Sequence, residues 1–146
     1  MSSKSKVYFF FPSGSIGFGN RSALKDFIEK LFKSENKQIK QVNYIFCDDG
    51  SIRKINLRYL RHNYATDIIT FDLSEGKLIT ADIYISVDRV RDNAKSLGIS
   101  LKSEIHRVVF HGALHLCGYR DKKSLDIKKM REKEDRYLNK YGISLV

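Results

Sequence analysis

One stretch limits the possible folds of this chain more than any other: VVFHGALHLCGYRD, residues 108–121. The apolar run Val108, Val109 and Phe110 leads into it, and Leu114 and Leu116 interleave with its polar residues. Such a segment predicts a buried helix with the rest of the fold built around it, stopping at Gly118. His111 and His115 are four positions apart. At about 3.6 residues per turn they stack on one helix face and can offer two imidazole nitrogens to one metal ion. Beyond Gly118 the chain can double back and bring Asp121 round as a third, oxygen ligand. Two His and one carboxylate leave a tetrahedral position of zinc open, as in catalytic rather than structural sites. The same His spacing also arises in helices whose imidazoles are satisfied by backbone carbonyls, so the pair alone does not decide the matter.

Other residues of this region are expected to play lesser parts. Cys117 follows His115 by two residues, on the opposite side of a helix, and reads as a packed thiol. His106 and His62 are expected to be exposed or outside the ligand set, and Glu104 to support the helix end. The zinc-peptidase pattern HExxH needs a Glu as base between its ligands. Gly112 holds that place here, and it has no side chain to take a proton.

The chain has 146 residues and a formal charge of +10, enough for one domain over 1–146 with a real core. Hydrophobic content of 42% argues for a folded globule. The basic excess favours polyanionic partners, RNA above all, though solubility alone would also account for it. No apolar run is long enough to span a bilayer, so no membrane is expected. The basic start MSSKSKVYFFFPSGS lacks the apolar core and cleavage site of a signal peptide. Cys47 and Cys117 are far apart and form no CxxC, which suits a cytoplasmic protein with reduced thiols.

The remaining pattern is mixed. Strands are expected at Val7–Phe11, Ile39–Phe46, Ile68–Leu73 and Thr80–Val87, the last two as an antiparallel hairpin turning at Glu75-Gly76-Lys77. The Gly/Ser stretch Ser13–Asn20 lacks a phosphate-loop GK[ST] and reads as a connector. Helices are expected after a cap at Asn20 or Ser22, after Ser51, over Asp88–Leu97, from Ser100 or Ser103 through the His pair, and after Ser124. Without strict βαβ alternation this predicts an α+β fold: a small mixed sheet of about four strands with packed helices, the metal-bearing helix central.

His111, Gly112, Leu114, His115, Leu116, Gly118 and Tyr119 resemble the HGxLHLxGYDH signature of the YbeY-type rRNA maturation factors, a bacterial family of metal-dependent endoribonucleases. Ile55–Leu73 resembles that family's LNxxYRxxxxPTDVLSF through Asn56, Tyr59, Thr66, Asp67 and Phe71. Ala81–Ser86 resembles its GDIxIs strand, and Met130, Glu134 and Leu138 its final helix. The likeness thus runs from Ile55 to Leu138. Arg120 and Asp121 stand where the family has Asp and its third His, Ala65 replaces Pro, and Leu60 replaces an Arg presumed catalytic.

The resemblance implies a single-strand-specific endoribonuclease that matures the 3′ end of 16S rRNA and acts in ribosome quality control. Zinc would be held by His111, His115 and Asp121. An oxygen ligand leaves the bound water less acidic than three His would, and manganese or magnesium would also suit it. With Leu60 unable to act, Arg58 and Arg61 flank the place, and Arg61 is the candidate catalytic cation. Lys122, Lys123, Lys128, Lys129 and Arg131 could follow RNA backbone, or share an ordinary solvated face with Glu132, Glu134 and Asp135. Expected partners are single-stranded RNA, 16S rRNA and the small ribosomal subunit, not DNA. The rival reading is a non-catalytic ribosome-assembly factor that binds rRNA with a structural metal; a metalloprotease comes third.

Overall fold

The computed structural model describes residues 5–14 and 16–143. The first four residues of the basic start, and Ser15 within the predicted connector, therefore lie outside the described residues. Four strands and five helices follow in the order β1 (Val7–Phe10), α1 (Arg21–Ser34), β2 (Gln38–Cys47), α2 (Asp49–Leu60), β3 (Ile68–Asp72), β4 (Leu78–Ser86), α3 (Val87–Leu97), α4 (Leu101–Leu116) and α5 (Ser124–Tyr141). The sheet order is β1-β2-β4-β3. β2 runs parallel to both β1 and β4, and β3 pairs antiparallel with β4 as the hairpin reading expected. The fold is α+β with a mixed sheet.

Residue alternation decides which face of the sheet each helix covers. Ile79, Ala81, Ile83 and Ile85 of β4 join Val42, Tyr44 and Phe46 of β2 in the main core with helices α1 and α4. The opposite face carries Cys47 and Ile69, closed over by Ile52 and Ile55 of α2. A bulge in β2 places both Lys40 and Gln41 against a single step of β4. It keeps Ile39 on the core side with Val42, although they are three residues apart.

Helix α4 passes through the centre, packed on α1, α3, α5, β3 and β4. Gly112 permits its close approach to the sheet. A Cβ built there would lie 3.0 Å from the Ile68 Cδ1 and 3.1 Å from the Ile83 Cγ2. The glycine at the peptidase base position therefore points into the core, where no carboxylate could serve.

The caps differ in detail from the sequence reading. Asp48, not Ser51, caps α2, its side chain accepting from the Ser51 N–H at 2.8 Å. α3 starts at Val87 behind a Ser86 cap, and Ser100 caps α4. Ser124 is the first residue of α5, whose cap position, Lys123, makes no side-chain capping bond. Asn20 caps α1 as expected.

Candidate active site

Nearly every turn of α4 is buried, but Arg107, His111 and His115 escape at four-residue intervals. These three form a polar stripe along one side of the helix. Just past its end, the Gly118 N–H donates to the His115 carbonyl and the Tyr119 N–H to that of Leu114, each at 3.1 Å. Gly118 takes φ +104°, a conformation open to glycine. The reversal brings Asp121 back beside the helix, and its Oδ2 lies 3.1 Å from His111 Nε2.

The other ring nitrogen is held from α5. His111 Nδ1 lies 2.7 Å from Glu134 Oε2, so the imidazole donates from Nδ1 to the carboxylate. Glu134 is 4% exposed and also accepts from Arg107 Nη1 at 2.9 Å. Arg107 in turn reaches Asp135 Oδ1 at 3.0 Å. With its proton on Nδ1, neutral His111 turns the Nε2 lone pair toward the Asp121 carboxylate. Two acceptors in that position need a positive charge shared between them, a proton or a metal cation. Burial alone would push His111 down, but the hydrogen bond and charge of Glu134, with Asp121 and Asp67, hold its pKa above the usual value.

A carboxylate that fixes the far nitrogen of a metal-binding imidazole is the ordinary companion of such a ligand. The chemistry of the donor set therefore fits a divalent cation. His115, one turn further on, is exposed. Among the described residues, however, no three His, Cys, Asp or Glu side chains stand together as a ready metal cluster. The structure brings together His111 and Asp121, while His115 stays on the same stripe.

A cavity of about 420 Å³ opens beside this pair, and Thr66, Asp67, Glu104, Arg107, Arg131 and Glu134 are among the residues lining it. Asp67 arrives on the loop between α2 and β3. That loop is anchored by the buried Asn56, whose Nδ2 donates to the Tyr64 carbonyl at 3.0 Å. Burial pushes Asp67 upward, against the opposing charge of His111.

Arg61 does not line this cavity. It ends α2 in a left-handed conformation with φ 59°, exposed to solvent. Arg58 lies over the Tyr59 ring, and Leu60 is 44% exposed. The cations facing the cavity are Arg107 and Arg131. Arg107 was not legible as a site residue, although its place one turn before His111 was a signal. Glu134 read as part of a solvated face, yet it is buried; its four-residue spacing from Met130 and Leu138 marked the apolar side of α5.

His106 stays outside the proposed ligand set, buried rather than exposed. It is fully buried, with Nδ1 2.7 Å from the Lys102 carbonyl and its ring stacked on Tyr141. Burial holds its pKa below the usual value. Cys117 is a partly buried free thiol, its pKa pushed up to about 12 by burial.

The family model for endoribonuclease YbeY matches residues 16–142 of this chain. The chain belongs to the endoribonuclease YbeY family. The endoribonuclease YbeY of Flavobacterium johnsoniae is 48% identical over 116 residues, covering 80% of this chain and 84% of the relative. That of Cytophaga hutchinsonii is 42% identical over 134 residues, covering 91% and 94%. A solution structure of a Thermotoga maritima protein matches with a TM-score of 0.66 at 28% identity, covering 92% of this chain and 88% of that one. Within this family the His111–Asp121 pair and its Glu134 support form the candidate centre.

Proposed function

We propose that this chain is a metal-dependent endoribonuclease that cuts single-stranded RNA during rRNA maturation. Membership of the YbeY family supports the endoribonuclease activity and its place in rRNA processing. The metal, the strand preference, 16S rRNA as target, the small ribosomal subunit as partner and a part in quality control are our reading. The observation that carries it is His111, clamped through Nδ1 by Glu134 with Nε2 aimed at the Asp121 carboxylate.

His111, His115 and Asp121 would hold the ion, zinc by preference. A bound divalent cation supplies Lewis acidity toward a phosphoryl oxygen and makes a coordinated water more acidic. The protein's own residues do the rest. Glu134 fixes the His111 ring and leaves Nε2 facing outward. Arg107 keeps the Glu134 charge compensated inside the fold. Arg131, with its side chain 56% exposed at the cavity rim, can neutralise a non-bridging phosphate oxygen, where charge builds up during in-line displacement. Arg61 ends α2, exposed and outside the cavity lining, and as the candidate catalytic cation it would have to reach the phosphate from the loop after α2.

The test is cleavage of a labelled single strand by purified wild type, His111→Ala, His115→Ala and Asp121→Asn, with metal content read by X-ray fluorescence. Loss of both metal and cleavage in the variants is expected. Cutting by all four proteins, or wild type indifferent to chelator, overturns the reading. The exposed Leu60 in place of the family's Arg favours the rival, an assembly factor with a structural metal. Metal bound stoichiometrically with no cleavage of any single strand would decide for it.

A further inference from the structure

The cavity beside His111 continues past the His111–Asp121 pair to two more carboxyls, Asp67 and Glu104. Glu104 is 5% exposed, and its Oε1 is buried with no hydrogen-bond partner among the described residues. Arg107 Nε stands 3.8 Å away, beyond hydrogen-bond reach. Glu104 lines the cavity, and a turn of its carboxyl group about the last side-chain bond presents this unmet oxygen to a donor that enters. Apolar side chains share the lining with these polar groups. Val108 and Met130 are buried, while Leu97 and Ile127, 60% and 48% exposed, stand as large bare side chains at the cavity's edge. Apolar side chains set among convergent polar and charged groups can hold a flat polar ligand, and about 420 Å³ is within the usual size range of a small-ligand site.

We propose that this cavity is a nucleobase subsite of the nuclease, selecting a base with a donor-rich edge, guanine before the others, through Glu104 and Asp67. The proposal rests on the single-strand endoribonuclease reading, since only an unpaired base can turn its edge into a pocket. Guanine presents N1–H and the N2 amino group side by side, two donors for two carboxyl acceptors. Adenine and cytosine present one amino group beside an acceptor. Uracil presents one N–H between two carbonyls, which would oppose carboxylate oxygens. Burial pushes Glu104 upward, with Asp67 and Glu134 adding to the rise and Arg107 and Arg131 opposing it. A donor base would offset part of that burial. The apolar side chains suit the faces of a flat ring, and His111 and Asp121 in the same cavity place the base beside the phosphate to be cut.

The test is binding of the four nucleoside 5′-monophosphates to the full chain as purified, by NMR titration. GMP is expected to bind on the order of tenfold more tightly than UMP, as sites built around base hydrogen bonds discriminate. In Glu104→Gln an amide N–H faces the guanine donors, and the preference should shrink to about twofold. Asp67→Asn should reduce it as well, and thermal unfolding of each variant checks that it is folded. Equal affinity for the four nucleotides in wild type overturns the proposal, as does an undiminished preference in both folded variants. Mapping of cleavage products separates it from the reading beneath it. Cutting that depends on His111 but has no base preference sinks the subsite alone, whereas GMP preference without any cleavage sinks the nuclease reading and the subsite's role in it.

Discussion

Glu134 shows how much one side chain can decide. It is among the few charged residues the fold buries, and it touches both the His111 ring and the Arg107 guanidinium. Replacing it with Gln keeps the shape but removes the charge that makes His111 a stronger donor to a cation. We expect metal affinity to fall about tenfold, the low end for a residue supporting a ligand. Competition with a chromophoric chelator measures it; unchanged affinity would leave Glu134 as no more than a partner for Arg107. At this scale the sequence was partly legible. His111 and Asp121 could be paired because a helix period and a glycine stop are local facts. Glu134 could not be joined to His111, because 23 residues separate them and only the packing of α5 on α4 closes the distance.

The elements carry two consequences of their own. The bulge at Lys40 and Gln41 adds one residue to β2 with both side chains turned from the core. Deleting Lys40 should restore a regular ladder with Ile39 still facing inward, and stability should change by less than about 1 kcal/mol. Deleting Asn43 instead slips the register and turns buried residues such as Val42 outward, at several times that cost. Urea unfolding of the two deletions distinguishes them. The sequence showed the strand but not the bulge, since the alternation of Ile39–Phe46 reads equally well as a straight strand.

The second consequence concerns the end of α1. Glu35 accepts from the Tyr119 hydroxyl at 2.7 Å, from Lys133 Nζ at 3.3 Å and from the Tyr137 hydroxyl. Burial pushes this carboxyl up, but the three donors together hold its pKa below the usual value. A carboxyl lowered in the folded state contributes stability above its unfolded pKa of about 4.3 and loses it as pH falls through the folded value. Glu35→Gln should therefore cost on the order of 2 kcal/mol at neutral pH. The gap to wild type should close as denaturation is repeated toward pH 3. A gap that is constant with pH would mean packing, not charge, holds the clasp.

At the scale of the whole molecule, charge is segregated. The chain carries +10 overall, yet the central cavity gathers Asp67, Glu104, Asp121 and Glu134. The net positive charge suits a polyanion, and the cavity's four carboxyls, which outnumber Arg107 and Arg131 beside them, suit a cation. RNA affinity should accordingly fall at least about tenfold between 50 and 200 mM salt, as fluorescence anisotropy would show, while metal affinity changes far less. The sheet order, too, was out of reach of the sequence. Local periodicity placed four strands, but the parallel pairing of β2 with β4 joins segments 39 residues apart and depends on both faces being covered.

The last helix supplies the anchor for His111 and two of the three donors that hold the Glu35 carboxylate. Its residues are synthesised after those of every other element described here. A growing chain can form its sheet and lay down α4 while His111 still lacks the carboxylate that aims it. The proposed centre is therefore complete only once α5 has packed on α4.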